Sequence, residues 1–114
     1  MAAKKERWKS GRQASGYWLY YLAQPKSQLW DLLLIRYPPG SYIVKHNDMI
    51  PGWRHYRLNI VLWGEQTFRC EGKPMFQAGP IVFFRPDIQT HEVLTSPRLR
   101  LVLSFGFRLK EKGP

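Results

Sequence analysis

Between Tyr17 and Leu109 the chain is cut into short apolar segments, most of them separated by Gly, Pro, Asn or Asp, and none carries a long 3.6-residue stripe. A chain so interrupted builds strands rather than helices. Eight strands are expected, over 17–23, 29–36, 41–45, 55–63, 66–71, 80–85, 91–95 and 98–109. The separators carry turn chemistry: Pro25 lies between the first two segments, Pro38-Pro39-Gly40 cannot continue a strand, Pro51-Gly52 turns, and Glu71-Gly72-Lys73-Pro74 reverses the chain. The one competing helix, over 28–35, is too short to stand alone. Eight strands in about a hundred residues suit a sandwich or jelly roll. At 114 residues the chain has room for one such domain, and its 44% hydrophobic and 23% charged residues are those of a chain with a packed core.

Charge is the lopsided quantity, with 18 Lys and Arg against 8 Asp and Glu for a net of +10. Residues 1–16 contribute +4 and residues 108–114 contribute +2, so the ends hold most of it. These stretches lack the apolar periodicity needed to pack. They read as a basic, flexible N-terminal tail over 1–16 and a basic C-terminal tail over 110–114, flanking a domain over 17–109. Such tails suit an acidic protein segment or nucleic acid as a partner. No apolar run approaches the ~20 residues that cross a bilayer, and no signal-type stretch opens the sequence, so no membrane contact and a cytoplasmic location are expected. The single cysteine, Cys70, reads as an ordinary strand residue.

Chemistry concentrates at Tyr42-Ile43-Val44-Lys45-His46-Asn47-Asp48. In an extended strand the His-x-Asp spacing puts an imidazole and a carboxylate on one side, about 7 Å apart at Cα, so both can reach one ion. A third ligand must come from elsewhere, and His91 stands 45 residues later at the start of a strand. Two histidines and a carboxylate on one face of an octahedral ion leave three positions open, as in non-haem Fe(II) oxygenases. Taken alone the spacing is common.

The company these residues keep is less common. From Arg36 to Phe107 the chain resembles the Fe(II)- and 2-oxoglutarate-dependent oxygenases, in their prolyl and aspartyl hydroxylase-like branch. Arg36-Tyr37-Pro38-Pro39-Gly40-Ser41-Tyr42 leading to His46-Asn47-Asp48 is similar to the approach to that family's His-x-Asp motif. Arg57-Leu58-Asn59-Ile60-Val61-Leu62 is similar to the next core strand, Gly79 to Asp87 with His91-Glu92-Val93 to the strand, turn and distal histidine, and Arg98 to Ser104 to the closing strand. The resemblance implies a double-stranded β-helix, and the helices with which most relatives buttress the larger sheet have almost no room in this chain, so little or no helical buttress is expected. It also implies Fe(II) on His46, Asp48 and His91, and 2-oxoglutarate as cosubstrate for a hydroxylase-type reaction.

By the same resemblance an arginine about nine residues past the distal histidine binds the far carboxylate, which favours Arg100, with Arg98 of the same parity left open. Ser104 would add a hydroxyl, and Tyr37 and Asn59 are further cosubstrate contacts. His55 is assigned to the surface or to substrate contact. Two other readings stay open. Cupins share the fold, and Gly40-x5-His46-x-Asp48 is also similar to their first motif, so a metal cupin without 2-oxoglutarate competes, the discriminator being whether Arg100 points inward. A catalytically inactive binding module on the same fold is the third. Without helices, the larger sheet's face must be covered either by the segment 17–35, with its aromatic cluster Tyr17, Trp18, Tyr20, Tyr21 and Trp30, or by a second subunit, and a homodimer is the expectation.

Overall fold

The structure, a computed structural model, describes residues 8–10 and 16–111. It is all-β, with ten strands: β1 Trp8–Ser10, β2 Trp18–Ala23, β3 Trp30–Tyr37, β4 Ile43–His46, β5 Trp53–Trp63, β6 Phe68–Cys70, β7 Phe76–Ala78, β8 Ile81–Phe84, β9 His91–Val93 and β10 Arg100–Lys110. Each of the eight expected segments holds one strand. The segment considered as a helix is the strand β3, because its apolar residues alternate with the sheet period once Leu33, Ile35 and Tyr37 turn to the core. β1 lies within the stretch expected as a tail and pairs with β2.

The strands form two antiparallel sheets. The larger runs β1-β2-β3-β10-β5-β8-β7 and the smaller β4-β9-β6, the arrangement of a cupin-type jelly roll. β10 is the spine of the larger sheet, pairing with β3 on one side and β5 on the other. Its even-numbered residues from Arg100 to Gly106 face the smaller sheet, and register extends this inner face to odd residues of β3 and β5 and even residues of β8. Val102, Ile35, Val82 and Phe84 meet Phe68 and Val93 of the smaller sheet, and the Phe68 and Phe84 rings lie 4.5 Å apart. The Pro38-Pro39-Gly40 turn carries the chain from the larger sheet to the smaller. Gly40 takes φ +81, and Ser41 donates from both its amide and its hydroxyl to the Pro38 carbonyl, which aims β4 across the mouth of the roll.

Candidate metal centre

β4 and β9 pair antiparallel with His46 and His91 as direct cross-strand partners, and this register brings together two histidines 45 residues apart. Their rings lie 4.4 Å apart. Asp48, two residues past β4, is held by its amide, which donates to the Pro86 carbonyl at 2.7 Å. Its carboxylate lies 3.5 Å from the Nε2 of each histidine. One ligand atom from each of the three falls within 4.8 Å of the others.

The ring orientations follow from what lies behind each ring. His46 Nδ1 stands 2.7 Å from the Val44 carbonyl and His91 Nδ1 2.9 Å from the Gln89 carbonyl. A carbonyl only accepts, so each Nδ1 donates, which fixes the ring and leaves Nε2 as the nitrogen turned toward Asp48 and open to a metal. Two imidazole Nε2 atoms and one carboxylate match the donor set of a divalent transition metal, and the residues fit Fe(II). A dication held by one carboxylate keeps a positive charge, which draws an anionic ligand to the site.

The triad opens on a cavity of about 410 Å³ between the sheets. Facing it from the larger sheet is Arg57 of β5, the first residue of the core-strand motif 57–62, to which the sequence assigns no site role. Its Nη2 donates to both carboxylate oxygens of Asp31 at 3.0 Å, and its Nη1 donates to Ser104 Oγ at 2.7 Å. Ser104 Oγ in turn donates to Asn59 Oδ1 at 2.6 Å. Asp31, Arg57, Ser104 and Asn59 thus form one hydrogen-bonded line across β3, β5 and β10, all of it on the cavity wall. Gly106 stands opposite both Asp31 and Arg57. A Cβ there would meet Arg57 Nη2 at 2.1 Å, so the guanidinium occupies the space a side chain would need. A bare glycine on a central strand, in register with an arginine, is the sequence signal for this residue.

Tyr37 also lines the cavity and is buried, and burial, seconded by Tyr17, pushes its hydroxyl above the usual tyrosine range despite nearby Arg100. His55 lines the same wall rather than the outer surface. Its Nδ1 is buried without a hydrogen-bond partner, and burial together with the Arg57 charge pushes the imidazole down to about 4.

Arg100 is placed differently. It points inward and is 2% exposed, yet it does not line the cavity. Nη1 donates to Thr67 Oγ1 and Nη2 to the Ser41 carbonyl at 3.1 Å, with the guanidinium 4.8 Å from the centre of the Tyr37 ring. Arg57 and Arg108 line the triad's cavity, whereas Arg100 ties β10 to the segments that flank β4 and β6. Arg98 precedes β10 and is exposed.

No protein-family profile and no curated protein sequence matches the chain. Solved structures do match its fold. A prolyl-4-hydroxylase of Pseudomonas putida superposes with a TM-score of 0.67 at 18% identity, over 98% of this chain and 82% of that one. KdgF of a Halomonas species gives 0.62 at 17% identity, covering 93% and 92%. A cupin-like protein of Thermotoga maritima gives 0.58 at 18% identity, covering 92% and 87%. The chain has the cupin-type double-stranded β-helix fold, with a His-Asp-His site of metal-binding geometry in its mouth. No described helix is long and apolar enough to cross a membrane.

Proposed function

We propose that the chain is a non-haem Fe(II)- and 2-oxoglutarate-dependent dioxygenase of hydroxylase type. One observation carries the reading: two Nε2 atoms and a carboxylate converge on a cavity whose facing wall holds an arginine. The prolyl-4-hydroxylase likeness supports it at the level of fold. His46, Asp48 and His91 would hold the iron, which when bound supplies Lewis acidity and redox chemistry with O2. The chain's own residues do the rest. Arg57 offers a planar, permanently charged fork to the cosubstrate's distal carboxylate, exchanging Asp31 or Ser104 for the ligand. Asn59 fixes the Ser104 hydroxyl, and Tyr37, Leu33 and Ile35 keep that end of the cavity dry. His55, neutral at physiological pH, has an acceptor nitrogen to offer a substrate proton.

A metal cupin without 2-oxoglutarate is the second reading, and two specific observations favour it. Asp31 already balances Arg57, and Arg100 is engaged by Thr67 and Ser41. Anaerobic titration with Fe(II) and then 2-oxoglutarate, followed by visible absorption, separates the two. A charge-transfer band requiring both additions is expected. Arg57→Leu should weaken the cosubstrate tenfold to a hundredfold at unchanged metal affinity, the range of one charged hydrogen-bonded pair. Arg100→Leu should lower the melting temperature and leave cosubstrate affinity of the folded protein intact. Stoichiometric metal binding with no response to 2-oxoglutarate overturns the proposal in favour of the cupin reading.

A further inference from the structure

The outer face of the larger sheet points away from the cavity and is apolar across six strands. Register defines its rows: Tyr20, Leu34, Leu103, Ile60 and Ile81 lie side by side, and so do Leu32, Phe105, Leu58, Phe83 and Phe76. Trp30, Phe107 and Tyr56 make a third row. No charged residue interrupts these three rows, and a fourth, Trp18, Arg36 and Leu101, carries one cation. The aromatic rings form a continuous string, with Trp30–Phe105 at 6.1 Å, Phe105–Phe107 at 5.9 Å, Phe107–Tyr56 at 5.1 Å and Tyr56–Phe83 at 6.1 Å. An antiparallel sheet facing water on one side turns polar residues outward, and this sheet turns its polar residues to the cavity and its apolar rows outward.

From these features we infer that the outer face of the larger sheet is the interface of a symmetric homodimer. Area supports the choice. Strands lie about 4.8 Å apart and same-face residues about 6.8 Å apart along a strand, so the sixteen residues of these four rows cover roughly 520 Å² per copy, or roughly 1,050 Å² for two. That clears the roughly 1,000 Å² a specific interface needs. Geometry supports it too, because two twisted sheets stack face to face about 10 Å apart, and a two-fold axis matches the patch with itself. Within this sequence no other segment is available as a cover, since residues 1–7, 11–15 and 112–114 are predominantly charged, polar or small. Arg36 of the fourth row lies 5.1 Å from Trp8 and 5.9 Å from Trp18, and Arg85 lies 5.0 Å from Tyr56, so both cations fold back onto aromatic rings of this face. A lipid surface is less suited to this face than a second copy. The apolar residues occupy the flat middle of a sheet, with Phe105 on its central strand only 36% exposed, and do not crown a protruding loop.

The test is sedimentation equilibrium of the full metal-free chain from about 1 to 100 μM. A species of twice the 13.5 kDa chain mass is expected. Each copy carries +10, so raising salt should strengthen association by screening repulsion, whereas binding to nucleic acid or anionic lipid weakens with salt. Phe105→Asp should weaken the dimer at least 100-fold, since a buried unpaired carboxylate would lie at its centre. Retained Fe(II) binding shows that the variant is folded, and Leu103→Lys repeats the experiment with the opposite charge should it not be. A monomer throughout, or a dimer indifferent to both substitutions, overturns the inference. So does a monomer that cosediments with phosphatidylserine vesicles through this face, with binding lost in Phe105→Asp.

Discussion

Gly106 has no side chain, and Arg57 fills the space. On a central strand glycine is ordinarily the poorer residue, and alanine would gain about 0.5–1 kcal/mol of backbone propensity. Here the added Cβ would stand 2.4 Å from Arg57 Cζ, so the guanidinium must leave Asp31 and Ser104. Gly106→Ala is therefore expected to destabilise by about 1–2 kcal/mol net, the scale of lost charge-assisted hydrogen bonds, and to weaken 2-oxoglutarate without touching the metal. Chemical denaturation checks the sign. In an Arg57→Leu background the same change should become neutral or stabilising, and equal costs in both backgrounds would show that the two residues are not coupled. His55, on the same wall, gives a pH dependence. Its imidazole is held down to about 4, first by burial and then by Arg57, so the folded chain keeps it neutral while the unfolded chain protonates near 6.5. The unfolded state thus binds more protons between those values, and stability conferred by His55 falls as pH drops from 6.5 toward 4. Melting temperatures of the metal-free chain across this interval should fall less steeply in His55→Gln. An unchanged slope would show that His55 is not the group responsible.

At the scale of elements, period-two alternation and turn residues placed eight strands, and parity put His46 and Asp48 on one side of an extended segment. Pairing supplied the third ligand: only the β4–β9 register sets His91 opposite His46, and no spacing along the chain encodes that. The same limit hid Arg57. In Trp53-Arg54-His55-Tyr56-Arg57 the polar residues do not alternate, so nothing local distinguishes the arginine facing Asp31 from its neighbour Arg54. The information sits on β10, where Gly106 is in register with it. Arg100 shows the converse. Its nine-residue distance from His91 suggests a cosubstrate anchor, but Thr67, Ser41 and Tyr37 surround its guanidinium first. β7 escaped because it has three exposed residues after Pro74, too few to show alternation, and β1 because a tryptophan between Arg7 and Lys9 reads as tail until Trp8 meets Tyr20 at 5.1 Å.

Across the whole molecule, the two faces of the larger sheet divide the work, with polar chemistry turned toward the smaller sheet and apolar surface turned away from it. Part of the basic charge expected in the tails belongs to this framework. Lys9 of β1 lies 5.7 Å from the Tyr21 ring, and Arg108 of β10 lies over Trp53 and donates to the Ser27 carbonyl at 3.3 Å. Residues 1–7 are different in composition, with Lys4, Lys5 and Arg7 against Glu6. Deleting them removes two net charges and lowers the total from +10 to +8 while leaving β1 to pair with β2. If those three cations contact phosphate, each releases counterions, and the slope of log affinity against log salt for a polyanion should become shallower by roughly two to three. Base preference should be slight, because phosphate contacts carry no sequence information. Fe(II) affinity should not change, since His46, Asp48 and His91 all lie outside the deleted segment. Fluorescence titration of a single-stranded oligonucleotide at several salt concentrations makes the measurement. An unchanged slope would move the polyanion site to the sheet, onto Lys9, Arg36 and Arg108, and loss of Fe(II) binding in the folded deletion would mean that the N-terminal residues support the metal centre itself.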